Sequence, residues 1–154
     1  MLTFWDTTSP LAVQILQANE EAQELELYKD NYELLLREIN NMEYELSIKE
    51  DSLELLEEAL EWEKEDLTAL QEKKILLMKK IKALTNMLKE FPEKHDLQET
   101  LNDEESDLFM LNNEIQYKEW DIECSESDIS ITQSDIEKIE ERLSILYQIQ
   151  NYHE

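Results

Sequence analysis

The sequence predicts an all-α protein: an elongated antiparallel coiled coil or helical hairpin, with a three-helix bundle as the alternative and a dimer compatible with either. Three observations predict it. The 154 residues include no glycine and only two prolines, Pro10 and Pro92. Without glycine, tight hairpins, phosphate-cradling loops and backbone turns of positive φ are hard to build. Apolar residues recur at every seventh position over most of the chain, the seam of a left-handed coiled coil. The phase of that repeat shifts once, at Pro92.

Taken in order, residues 1–9 form a flexible leader ending at Thr7, Thr8 and Ser9. Ser9 can cap a helix whose first turn accepts Pro10. A helix over 10–91 follows. One core column is Leu11, Ala18, Leu25, Tyr32, Ile39, Leu46, Leu53, Leu60, Leu67, Lys74, Ile81 and Leu88. Its companion, three residues on, is Gln14, Glu21, Tyr28, Leu35, Met42, Lys49, Leu56, Glu63, Leu70, Leu77, Leu84 and Phe91. Ser47 with Glu50, and Asp51 with Glu54, have capping-box spacing. A break near 49–52 would give three helices, about 10–49, 52–91 and 95–150. Against it, the heptad phase passes through unchanged.

Pro92 lacks a donor and disfavours helical geometry at Phe91, so 92–95 is a turn. A second helix over 96–150 resumes the repeat with Leu101, Leu108, Ile115, Ile122, Ile129, Ile136 and Leu143. Its companions are Leu97, Leu111, Ile139 and Leu146, with polar Glu104, Lys118, Ser125 and Thr132 between them. Reversal at Pro92 should bring Trp62 and Trp120 to one level. It should also set Lys73, Lys74, Lys79, Lys80, Lys82 and Lys89 against Asp96, Glu99, Asp103, Glu104, Glu105 and Asp107. Apolar residues outside the seam, Leu34, Leu36, Ile75, Leu76 and Met78, favour contact with more than one helix.

The net charge of -25 is unevenly spread. Residues 1–63 carry 17 acidic and 3 basic side chains, 64–94 carry 5 and 8, and 95–154 carry 17 and 3. Such a chain is repelled by nucleic acid and anionic membranes and attracted to basic surfaces. Neither a basic leader with an apolar core nor a run of about 18 apolar residues is present, so a soluble cytoplasmic protein is expected. Cys124 is the only cysteine, and its acidic neighbours Glu123 and Glu126 disfavour a reactive thiolate.

Catalytic, cofactor and metal sites are not expected. His95 and His153 are the only histidines, neither in a Glu-x-x-His pair, and the glycine of a calcium loop is missing. Serine-, cysteine- and nucleotide-dependent signatures are likewise lacking. The function expected is therefore binding. The candidate partner-binding residues are Glu57, Glu58, Glu61, Trp62, Glu65, Trp120, Asp121 and Glu123: carboxylates beside two tryptophans, a residue type favoured at interface hot spots. The expected partner is a basic protein surface such as that of a nucleic-acid-binding enzyme, with self-association through the heptad seams. A helix with regularly spaced carboxylates can imitate the phosphates of a nucleic acid. In type, though by no shared motif, such a chain resembles phage-encoded inhibitors of host defence or repair enzymes. The alternative is a structural scaffold, tether or assembly subunit.

Overall fold

In the computed structural model, the described residues are Glu26, Tyr28 and residues 31–153, the last for its backbone only. Two long helices dominate them: α1, Tyr32–Glu90, and α2, His95–His153. No backbone of positive φ occurs among the described residues, in keeping with a chain that lacks the residue best suited to it. The expected leader over 1–9 and the helix start at Ser9 and Pro10 lie outside them.

Asn31 caps α1. Its Oδ1 accepts from the Leu34 amide at 3.0 Å, and its carbonyl accepts from the Leu35 amide at 3.0 Å, the geometry of an N-cap. The heptad does not announce this start, because the repeat runs through it in phase. α1 then continues through Ser47–Glu54 without interruption. Both capping boxes of the three-helix alternative are thus interior helix.

The reversal falls where Pro92 places it. The last helical bond of α1 runs from the Phe91 amide to the Met87 carbonyl, and the Lys94 amide closes the turn onto the Phe91 carbonyl at 3.2 Å. Phe91 departs from expectation. Assigned to the core by its phase, it is 44% exposed, because the backbone leaves the helix there. Its ring instead lies 5.0 Å from the Lys94 ammonium, within cation–π range.

The described chain divides into two compact units, one made of residues up to Asp51 with those from Ser134 onward, the other Ser52–Gln133. In the first, the two segments pair antiparallel around Tyr28, Leu35, Ile39, Ile139, Leu143, Leu146 and Ile149. Leu35 and Leu146 have no exposed surface. Leu34, Met42 and Leu46 pack against the cluster. At its edges Arg142 pairs with Glu38 at 3.6 Å, and Lys49 with Asp135 at 3.4 Å. The Tyr147 hydroxyl donates to Glu43 Oε1 at 2.6 Å. That hydrogen bond, then burial, then the negative charge of Glu43 raise the phenol above its usual range.

In the second unit, the seam from α1 comprises Leu53, Leu56, Leu60, Leu67, Leu70, Leu77, Ile81, Leu84 and Leu88, all buried or half-buried. Leu101, Leu111, Ile115 and Ile122 supply the buried residues from α2. Polar companions also lie in the seam: Ser125 Oγ donates to the Glu63 carboxylate at 3.1 and 3.2 Å. The burial of each of these positions follows the heptad.

Candidate interaction surface

All eight candidate residues belong to the second unit, and all are exposed: Glu57, Glu58, Glu61, Trp62 and Glu65 on α1, and Trp120, Asp121 and Glu123 on α2. Trp62 is 68% and Trp120 62% exposed, so neither is packed between the helices. The contacts of Glu63 with Ser125 and of Asp66 with Lys118 at 3.5 Å place the two indoles at one level, as the reversal implies. They share a level but not a side. Trp120 lies two residues before the buried Ile122 and so points away from α1, whereas Trp62 lies on the flank of α1, next to Glu63 of the seam.

None of the six candidate carboxylates, Glu57, Glu58, Glu61, Glu65, Asp121 and Glu123, takes part in an ion pair or side-chain hydrogen bond among the described residues. The cations of this unit are mostly unengaged as well. Of the six lysines expected to face acids across the turn, Lys80 alone does so, 2.6 Å from Glu104. Lys73, Lys79, Lys82 and Lys89 are exposed without an acid in ion-pair distance among the described residues, and Lys74 lies half-buried in the seam. Lys64 with Glu126, at 3.8 Å, marks the opposite flank of the pair.

A feature of this unit that the candidate set misses is a third apolar column. On α1 it runs Leu55, Trp62, Ala69, Leu76 and Ala83, every seventh residue, each exposed. On α2 it runs Met110, Tyr117, Cys124 and Ile131, again every seventh and all exposed. The two columns flank one face. A groove of about 500 Å³ has Leu76 and Met110 on its walls, Leu77 and Leu111 at its floor, and Lys73, Lys80, Asp107 and Glu114 around its rim. The arithmetic of sevens exposes each column, but only the antiparallel pairing shows that they share a side. A second groove, in the other unit, is lined by Ile145, Gln148, Ile149 and Tyr152.

Among the described residues, no group of three or more His, Cys, Asp or Glu side chains converges as a metal site, and no helix is long and apolar enough to cross a membrane. Compared with protein-family models, curated proteins and solved structures, the chain matches none.

Proposed function

We propose that this chain is a non-enzymatic interaction module: an antiparallel coiled coil whose acidic helical surface binds a basic partner in place of nucleic acid. Charge density is the observation that carries the reading. Residues 54–66 of α1 hold Glu54, Glu57, Glu58, Glu61, Glu63, Glu65 and Asp66, and the level segment of α2 holds Glu119, Asp121, Glu123, Glu126 and Asp128. The basic residues among them are Lys64 and Lys118, the latter 3.5 Å from Asp66. Thirteen helical residues rise about 20 Å, so the net spacing is roughly one negative charge per 2 Å, against ~1.7 Å for duplex DNA. Every one of these carboxylates but the half-buried Glu63 is exposed. A surface of this kind competes for the basic channel of a nuclease, polymerase or repressor by the same counterion-releasing electrostatics that bind DNA.

The test is capture on the immobilised chain. Proteins retained at low salt should be released by raised salt and by duplex DNA, and the triple variant Glu57→Lys, Glu58→Lys, Glu61→Lys should retain them at least tenfold less while keeping its helical circular dichroism. Retention indifferent to salt, DNA and charge reversal would instead support a structural scaffold. The exposed apolar columns favour that second reading as an additional property, developed next.

A further inference from the structure

We infer that the face bearing the two apolar columns of the Ser52–Gln133 unit is covered by a second copy of this chain, laid antiparallel with the two-fold axis at the level of Ala69 and Tyr117. Size, charge and shape each point to that occupant.

Four heptads of the unit, two helices wide, present a face of about 42 by 20 Å, or roughly 800 Å² per partner, the size of a standard stable interface. A face this long needs an occupant with a matching repeat, and a second copy carries one. In a two-fold arrangement each column meets itself reversed.

Charge sets the register. Lys73 and Lys79 flank the turn-proximal part of the α1 column and have no carboxylate within ion-pair distance among the described residues of their own chain. Glu58, Glu65 and Asp66 flank its distal part. Reversal about Ala69 sets the lysines of each copy over these acids of the other, and it does so twice. The long-range repulsion of two chains of charge -25 is screened beyond about 8 Å at physiological ionic strength, so contact-range pairs decide the alignment.

Shape fits the same register. Reversal about Ala69 places Trp62 of one copy at the level of Leu76 and Met110 of the other, over the 500 Å³ groove. That volume is within the ~300–1,000 Å³ range of sites that hold sizeable groups. The indole would rest on Leu76 and Met110, its N–H within reach of the Asp107 carboxylate and its face toward Lys73 and Lys80, a cation–π arrangement. Ala69, small and on the axis, lets the two α1 helices approach. Glu57, Glu61 and Glu123 lie off this face and stay open to another partner, so the dimer does not depend on the nucleic-acid mimicry proposed above.

Sedimentation of the full chain over a range of concentrations tests the assembly. The wild type should dimerise. Trp62→Ala, at a position outside the hairpin seam, should weaken the dimer about a thousandfold, since one hot spot is lost on each side, whereas Trp120→Ala should leave it unchanged. Ala69→Cys in a Cys124→Ser background should form a disulfide-linked dimer on oxidation. Cys124 itself, about 10 Å from the axis along each chain at 1.5 Å per residue, should not. A wild type that stays monomeric at every concentration overturns the proposal. So does a dimer that survives Trp62→Ala, or one that persists while the Ala69→Cys variant fails to cross-link.

Discussion

Leu146 and its neighbour Ile145 offer a sharp test of how the hairpin is held. Leu146 is fully buried in the cluster with Leu35, Ile39 and Leu143, while Ile145 is 39% exposed beside it on the same helical turn. Truncating Leu146 to alanine removes about three carbon groups, worth ~2.4 kcal/mol of transfer at ~0.8 each. Incomplete collapse of the cavity brings the cost to about 3 kcal/mol, the lower part of the range for such changes. Truncating Ile145 removes the same number of carbons from a site about three-fifths covered, worth ~1.4 kcal/mol. Alanine's better helix propensity returns ~0.4 kcal/mol, leaving about 1. Urea unfolding followed by far-ultraviolet circular dichroism reads both. The Leu146→Ala midpoint should fall about three times as far as that of Ile145→Ala. A larger fall for Ile145→Ala than for Leu146→Ala would refute the assignment of the seam, because a slip of one residue in α2 would exchange the two environments.

Two further outcomes follow from polar groups. Replacing the Glu63–Ser125 layer by leucines at both positions should raise the unfolding temperature, by about 1–2 kcal/mol of stability, since a half-buried polar pair gives way to apolar packing between Leu60, Leu67, Ile122 and Ile129. A lower unfolding temperature would mean that this layer sets register. Tyr147, its phenol held above the usual value by Glu43, contributes stability that is complete below the unfolded phenol pKa near 10 and lost as pH rises through the higher folded value. Tyr147→Phe should therefore show a shallower alkaline loss of stability than the wild type, in thermal melts taken at increasing pH.

The heptad made most of this architecture legible, because burial between two helices depends on little besides spacing. Leu53 through Leu88 and Leu101 through Leu146 lie where their phase places them, and Pro92 ends α1 for the local reason visible in its ring. What stayed hidden depends on side-chain competition or on pairing. Asn31 begins α1 because its amide oxygen captures the Leu34 amide, and a repeat of sevens carries no trace of that. The expected row of lysine–acid pairs thins to Lys80 with Glu104, since similar charge counts on two helices do not fix which flank each projects from. The candidate carboxylates and tryptophans are exposed as an interaction surface requires. The apolar columns beside them were visible only in fragments, as Trp62 and Leu76, because their common side is a product of antiparallel geometry.

Sequence separation across the turn rises steadily away from Pro92: Lys80 and Glu104 are 24 positions apart, Glu63 and Ser125 62, and Glu43 and Tyr147 104. Loop closure grows costlier with that span, though only by about 0.6 kcal/mol for each doubling. Folding should accordingly begin beside the proline and zip outward. The cluster around Leu35 and Leu146 then forms last, as a clasp: the costliest closure is met by the most complete burial among the described residues.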